Sequence, residues 1–205
     1  VFGFHYVKQP VSVDLSVEKR KPHVTARVDT LVQIAEDAVK LRTWLVYAVN
    51  YAGITDLSFS VPGGLGDDLR ISGANIKEKV RTTEEAEEGA PKRDRWRVSL
   101  QSETIGEYQL LLEYETKLEG IRKESGADFA VPEIIVHDVA RENGFVAVTK
   151  GPNVEVVEDI KGLDPIDSRE LPDSRLATPG TFLSFKYLYH PYTLKLKATL
   201  HDYVS

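Results

Sequence analysis

His137 lies among acidic residues, so it is the first position where the sequence could support metal binding or acid–base chemistry. Asp138 follows it directly, and Glu133 and Glu142 are close to it in the sequence. The surrounding residues alternate as a strand does, however, and neighbouring strand residues point to opposite faces. His137 and Asp138 would therefore not converge on one ion, and none of the five histidines has a recognised metal-ligand spacing. We predict no metal site around His137.

Two groups of aspartates could offer the oxygen ligands that calcium prefers. They are Asp67 with Asp68, and Asp164 with Asp167 and Asp173. Neither group has the spacing of a calcium-binding loop, and aspartate in loops ordinarily forms turns. The Gly63-Gly64-Leu65-Gly66 loop lacks the Lys-Ser/Thr pair that completes a phosphate-binding loop. There is also no Gly-x-Ser-x-Gly elbow. The sequence therefore predicts no catalytic, cofactor-binding or metal-binding residue, and no cofactor.

Aromatic residues could form a platform on which a sugar ring stacks. Trp96 shares its strand face with apolar residues, and Trp44 lies in a strand that is apolar on both faces, so both rings are expected in the core. Tyr187, Tyr189 and Tyr192 are the rings that could be exposed. A carbohydrate-binding module is therefore the main alternative to a structural role.

Composition excludes several classes of function. The chain of 205 residues contains no cysteine, which removes thiolate metal sites and thiol catalysis. Its net charge of −6, from 32 acidic and 26 basic residues, argues against a nucleic-acid partner. No apolar run is long enough to cross a membrane, so we expect no direct membrane insertion of this segment. The chain starts at Val1 and contains no methionine, so we expect an internal piece of a longer polypeptide or a processed product.

The candidate residues are positioned by strands, which the alternation of apolar and polar residues predicts throughout the chain. The stretch from Leu41 to Tyr51 is apolar on both faces and is predicted to be a central buried strand. Gly53 ends it, and a second strand from Ile54 to Pro62 is expected to be half exposed. Glu36-Asp37 is predicted to be the hairpin turn before the central strand. The charged stretch 82–95 is expected to be a solvated hairpin connection.

Other strands follow the same alternation. They are predicted at 1–7, 11–17, 24–34, 69–71, 76–80, 96–100, 108–118, 129–139, 144–149, 154–160, 182–190 and 192–200, with 96–100 and 108–118 as an antiparallel pair and an irregular connection between Gly162 and Gly180. No sustained helical period is present. The prediction is an all-β protein: a large antiparallel β-sandwich, with or without an appended pair of terminal strands.

The two ends of the chain resemble each other. Residues 2–17 align without a gap to residues 183–198, with identities at Phe4/Phe185, Tyr6/Tyr187 and Pro10/Pro191. His5 and His190 fall inside this repeat and are expected to be packed or exposed at an edge. Such a repeat is typical of one unit of a tandem array with part of the next unit attached. The alternative is that two similar sandwich edges share a kink. Residues 1–205 are thus predicted to be a single unit, in which 182–205 could begin a following repeat.

A family resemblance rests on the Phe-x-Tyr…Pro motif and on three further segments: Tyr47-Ala48-Val49-Asn50-Tyr51 with Leu57-x-Phe59-x-Val61-Pro62, Asn143-Gly144-Phe145-Val146-Ala147-Val148, and Leu163-Asp164-Pro165-Ile166-Asp167 with Glu170-Leu171-Pro172. In these segments the chain resembles the very long bacterial envelope proteins of the planctomycete type, which are uncharacterised. The resemblance covers most of the chain through short motifs. It implies repeated β-domains on a large surface or periplasmic protein, and it transfers no functional residues.

The sequence therefore predicts a non-catalytic structural or interaction module of a large bacterial cell-envelope protein, periplasmic or extracellular. Its expected partners are other protein modules or surface components, or carbohydrate in the alternative. An enzyme that uses scattered carboxylates such as Glu133 or Asp138 is a third possibility, because residues far apart in sequence can meet in space.

Overall fold

A computed structural model describes residues 20–84, 91–121 and 125–200, together with the isolated positions 5, 7, 12, 14, 16 and 18. The strands are β1 (His23–Ile34), β2 (Ala38–Pro62), β3 (Arg70–Gly73), β4 (Ile76–Glu84), β5 (Arg93–Lys117), β6 (Ala127–Ala130), β7 (Ile135–His137), β8 (Arg141–Lys150), β9 (Val154–Lys161), β10 (Asp164–Pro165), β11 (Thr181–Tyr187) and β12 (Thr193–Leu200). One 3₁₀ turn, Ser168–Glu170, is also present.

The strands form two sheets, and the predicted all-β sandwich is confirmed. The larger sheet has nine strands in the order β10-β11-β8-β1-β2-β5-β3, with β4 also paired to β5 and β7 also paired to β2. The smaller sheet has the order β6-β12-β9. All pairs are antiparallel except β1 with β8, so the larger sheet is mixed. The predicted hairpin at Glu36-Asp37 connects β1 to β2.

Strands β2 and β5 are the longest in the sheet, and each merges two strands that the sequence analysis separated. The expected antiparallel pair 96–100 and 108–118 does not form, because both stretches belong to β5 and pair with β2 instead. Gly106 has a φ of +90°, a conformation that glycine adopts without strain. The register shifts at this point, so a β-bulge replaces the expected turn. Gly53 of β2 lies against Glu103 and Thr104 of β5 and does not end its strand either.

The main core lies between the sheets and includes the inward residues of β2. Leu45, Tyr47 and Val49 are each at most 1% exposed. The opposite face of β2 is covered only in part: Trp44 packs with a second apolar cluster of Leu31, Ala147, Leu171 and Leu176. That cluster is closed by the connection 162–180. The expectation of a strand buried on both faces therefore holds around Trp44, whereas Ala48, Asn50 and Tyr51 are exposed.

The second half of β2 is more buried than predicted. Leu57, Phe59 and Val61 lie in the core as expected, but Ser58 and Ser60 on the other face are only 8% and 1% exposed. Arginine side chains from β5 cover them and donate hydrogen bonds to their hydroxyl groups. Asp56 on this face is exposed as expected, but the predicted exposure of the two serines is wrong. Long arginine side chains can bury a small polar residue that alternation alone marks as solvated.

The terminal strands are not an appended pair. β11 lies between β10 and β8 in the large sheet, and β12 is the central strand of the small sheet. Leu194, Leu196 and Ala198 are at most 2% exposed. The predicted strands 1–7 and 11–17 lie outside the continuously described residues, so their equivalence to β11 and β12 stays a prediction.

The charged connection predicted at residues 82–95 is shorter than expected, because β4 extends to Glu84 and β5 begins at Arg93. Residues 85–90 lie outside the described part.

Candidate functional site

The most concentrated polar chemistry lies where the chain crosses twice between the two sheets. The predicted strand 129–139 is divided at Pro132 into β6 of the small sheet and β7 of the large sheet. The link from β11 to β12 crosses back and contains Pro191, which follows His190 through a cis peptide bond. Proline cannot donate a ladder hydrogen bond, so strands commonly end near it. The first crossing carries Glu133 and the second carries His190.

His190 lies between two carboxylates. Its Nδ1 is 2.8 Å from Glu133 Oε1, and its Nε2 is 2.7 Å from Glu142 Oε1 of β8. The three side chains are 20%, 16% and 9% exposed, respectively. Ionised carboxylates only accept hydrogen bonds, so both ring nitrogens donate and the imidazole carries a positive charge. We call Glu133, Glu142, His190, Arg93 and Tyr187 the crossing cluster.

Both oxygens of each carboxylate accept further hydrogen bonds. Glu133 accepts from the Tyr192 backbone N–H at 3.0 Å and from Arg93 Nη1 at 3.3 Å. Glu142 accepts from the Tyr187 hydroxyl at 2.9 Å and from the Val136 backbone N–H at 2.7 Å. Arg93 also donates to the Glu133 carbonyl oxygen at 2.7 Å. The cluster thus ties β5, β7, β8 and both crossings together.

The pKa values of the cluster follow from this arrangement. Burial opposes the charge on His190, but the hydrogen bonds to Glu133 and Glu142 outweigh it and raise the pKa of His190 to about 9. Burial alone would raise the pKa of Glu133, yet its bonds to His190 and Tyr192 lower it. Burial raises the pKa of Tyr187 well above its ordinary value. At neutral pH the cluster therefore contains a buried imidazolium paired with carboxylate.

A groove of about 480 Å³ runs beside the cluster. Its lining residues are Ile135, Val136, Val139, Ala140, Arg141, Glu142, Leu188, Tyr189 and His190. Leu188 is 49% exposed and Tyr189 81%. The groove therefore offers apolar surface and one exposed tyrosine ring next to Glu142 and His190, which already bond to each other.

A serine–histidine pair lies near the cluster. Ser60 Oγ is 2.9 Å from His137 Nε2 and also accepts from Arg93 Nε at 3.1 Å. Burial lowers the pKa of His137, as do the charges of the nearby arginines. Such a pair could activate a serine nucleophile, but Ser60 is 1% exposed and its oxygen already has two partners. The pair therefore holds β7 against β2 and offers no accessible nucleophile.

The residues that the sequence grouped around His137 do not form one site in the structure. His137 and Asp138 have different partners: His137 bonds to Ser60, whereas Asp138 lies just past β7 with a φ of +59° and pairs with Arg95 at 3.6 Å. Glu133 and Glu142, considered above as neighbours of His137, bind His190 instead. Sequence reasoning missed His190 because 48 positions separate it from Glu142. The His190-Pro191 pair inside the terminal repeat was the one available signal.

Three of the five aspartates that were considered as calcium ligands pair with arginines. Asp67 lies 2.8 Å from Arg81, and Asp167 and Asp173 are bonded to Arg169 and Arg175. Across residues 20–84, 91–121 and 125–200, no group of three or more His, Asp or Glu side chains is arranged to hold a metal ion. The prediction of no metal site stays a prediction.

The aromatic rings are largely in the core. Trp44 is covered by Arg175, whose guanidinium lies 4.7 Å from the ring centre. Trp96 is partly buried against the main core. Tyr187 and Tyr192 are 2% and 3% exposed, so the expectation that they could be exposed rings is wrong for both. Their ring centres are 4.5 Å apart, and only Tyr189 of the three is exposed.

Comparisons with known proteins add little. No family model and no curated protein matches the chain. Among solved structures, the M1 zinc metallopeptidase from Deinococcus radiodurans is 13% identical over 89% of this chain and 43% of its own, with a TM-score of 0.39. Native leukotriene A4 hydrolase from Saccharomyces cerevisiae is 10% identical over 86% of this chain and 29% of its own, with a TM-score of 0.36. This chain spans less than half of either. Similarity at this level carries no statement about its function.

Among the described residues, no helix combines the length and hydropathy needed to cross a bilayer.

Proposed function

We propose that this β-sandwich is a non-catalytic module with a structural or interaction role in a large bacterial cell-envelope protein, periplasmic or extracellular. Its partners are other protein modules or surface components. The resemblance of its short motifs to long envelope proteins supports the location. The state of the crossing cluster supports the non-catalytic role.

The observation that carries the proposal is that the cluster's reactive groups bind one another. A general acid or base must reach the proton it transfers, and a nucleophile must reach its substrate. Here Glu133, Glu142 and His190 use their hydrogen-bonding atoms on one another, on Tyr187, on Arg93 and on backbone N–H groups. These bonds connect the two crossings. The arrangement favours a role in holding the two crossings together over a role in catalysis.

Hydrolytic assays test the non-catalytic role. The wild-type chain and the Glu142→Gln variant would be incubated with chromogenic esters, glycosides, phosphoesters and peptides, with Glu119→Gln as an exposed control. We expect no saturable turnover above background in any of the three. Turnover that Glu142→Gln abolishes while circular dichroism shows a retained fold would establish an enzyme instead.

A carbohydrate-binding module is the second candidate, and one observation favours it. The Tyr189 ring is 81% exposed at a groove of about 480 Å³ that also contains Arg141. A flat exposed ring beside polar groups suits the apolar face of a sugar. Against it, Tyr189 is the only aromatic residue among those lining the groove.

Glycan binding can be measured directly on the full chain. Calorimetric titration with cell-wall and capsular oligosaccharides would compare the wild type with Tyr189→Ala. Tyr51→Ala is the control, because Tyr51 is also exposed but does not line the groove. Binding lost in Tyr189→Ala and kept in Tyr51→Ala would favour the carbohydrate module. No binding in the wild type would remove this alternative.

A further inference from the structure

Two long strands of the described part have a free edge. β4 pairs only with β5, and β9 pairs only with β12. They have nine and eight residues, whereas the other described strands that pair on one side, β3, β6, β7 and β10, have at most four. A free edge presents backbone N–H and C=O groups to which another strand can bind. The edges of β4 and β9 are therefore the longest positions at which a further strand could extend either sheet.

Both edges expose apolar surface together with charge. Val80 in the middle of β4 is 44% exposed, and Val157 in the middle of β9 is 67% exposed. Neither strand contains a proline. Charged side chains commonly protect a free edge from pairing with the same edge of another molecule. β4 and β9 both carry such side chains, but the sign of the charge differs between the two strands.

The edge of β4 is positively charged. Its charged residues are Lys77, Glu78, Lys79, Arg81 and Glu84. Arg81 pairs with Asp67, and Glu84 pairs with Arg95, so these two charges are neutralised within the domain. The other three leave one net positive charge, and both lysine side chains are exposed.

The edge of β9 is negatively charged. Its charged residues are Glu155, Glu158, Asp159 and Lys161, three acidic and one basic. Glu158 and Asp159 are exposed and form no ion pair within the described part of the chain. The domain therefore has one positive and one negative free edge, and they belong to different sheets.

Opposite charges favour contact between the two edges of different molecules. Like charges on facing strands repel, so neither edge favours pairing with its own copy. We propose that β4 of one copy pairs with β9 of a second copy, so that the large sheet of one domain continues into the small sheet of the next. Each copy then still has one free edge of each kind, and repetition of the contact gives an open array. The inference deepens the proposed structural role, on which it rests, because it names the partner as a second copy of this chain.

Sedimentation velocity of the full chain measures this association. We expect species larger than a dimer to form as the protein concentration rises. Raising NaCl from about 50 mM to about 500 mM should shift the chain back towards the monomer, because salt screens exposed charges. A chain that stays monomeric up to about 500 μM would overturn the proposal. A dimer that does not grow, or association that salt leaves unchanged, would also overturn it.

Two charge-reversed variants identify the edges. Lys77→Glu with Lys79→Glu makes β4 acidic, and Glu158→Lys with Asp159→Lys makes β9 basic. Each variant alone has two edges of like charge and should remain monomeric. An equimolar mixture should associate, because each variant supplies the edge that the other lacks. Circular dichroism checks the fold of both variants, and Lys77→Glu and Asp159→Lys as single substitutions repeat the test if either double variant unfolds.

Two control variants make the same changes of charge at exposed positions outside both edges. Lys117→Glu with Lys150→Glu matches the β4 variant, and Glu107→Lys with Glu119→Lys matches the β9 variant. Both controls should associate like the wild type. Association of either edge variant alone, or none in their mixture, would assign the contact to another surface. Turnover in the hydrolytic assays would overturn the non-catalytic role and leave the edge contact in place, so the two proposals fail separately.

Discussion

The charges of the crossing cluster explain why it can be buried. Glu133 and Glu142 contribute two negative charges, which His190 and Arg93 balance. A buried ion pair with satisfied hydrogen bonds is tolerated, whereas removal of one partner leaves an uncompensated charge that costs about 3 to 5 kcal/mol. Loss of any one member is therefore expected to destabilise the domain more than an average substitution.

The titration of His190 makes stability depend on pH. Its pKa is about 9 in the folded chain against an ordinary 6.5. Below pH 6.5 the ring is charged in both states and its stabilisation is complete. Between 6.5 and 9 the unfolded chain releases the proton and the folded chain keeps it, so stability falls, by up to about 3 kcal/mol. Urea unfolding of the wild type at pH 6 and pH 9.5 should show this loss.

Two variants separate His190 from other groups that titrate in this range. His190→Gln should be less stable at pH 6 and should lack most of the decline. His137→Gln should retain it, because His137 has no carboxylate on Nε2. An equal decline in the wild type and in His190→Gln would refute the assignment of the charge to His190.

The sequence could predict the carboxylates of the cluster but not the histidine they bind. Glu133 and Glu142 stood out because they flank His137 within a few positions. Asp138 lies past the end of β7 with a φ of +59°, so the alternation of strand faces does not apply to it. The contact with His190 depends on a crossing between sheets, and no local pattern encodes which distant segments meet at such a crossing. The exposure of Tyr187 and Tyr192 was predicted wrongly for the same reason.

At the scale of elements, alternation located the strands and failed at their interruptions. Gly53 was interpreted as a strand end, and the expected pair 96–100 and 108–118 required a turn between them, where Gly106 lies; the structure places both glycines inside two long paired strands. A glycine permits a turn or a bulge equally well, and the choice depends on whether the partner strand bends at the same place. The register between β2 and β5 shifts at this place. That shift depends on the pairing of both strands and cannot be read from either segment alone.

Three strands approach one another closely at Gly144 of β8. A Cβ atom there would overlap the Val28 carbonyl oxygen of β1 and the Tyr187 ring of β11. Gly144→Ala should therefore cost about 2 to 3 kcal/mol through overpacking. Gly151→Ala, just past the other end of β8, meets only ordinary contacts and should cost less than about 1 kcal/mol. Denaturant unfolding of both variants measures the difference; similar losses would contradict the close approach.

At the scale of the whole molecule, the cluster fastens the two sheets to each other. Both connections that carry its residues run between the sheets, and Glu142 and Arg93 belong to the large sheet. The small sheet has three strands and little core of its own without the large sheet. We therefore expect the two sheets to form one cooperative unit that is stabilised across their interface.

We expect the two sheets to unfold as one unit. The most direct test is to follow urea unfolding with one fluorescent probe on each sheet. Both tryptophans lie on the large sheet, in β2 and β5, so their emission reports that sheet. The chain has no cysteine, so a dye on Lys195→Cys, at an exposed position of β12, reports the small sheet alone. We predict coincident urea midpoints for the two signals, and midpoints that fall together in His190→Gln. Loss of the β12 signal before the tryptophan signal in the otherwise wild-type chain would contradict the account.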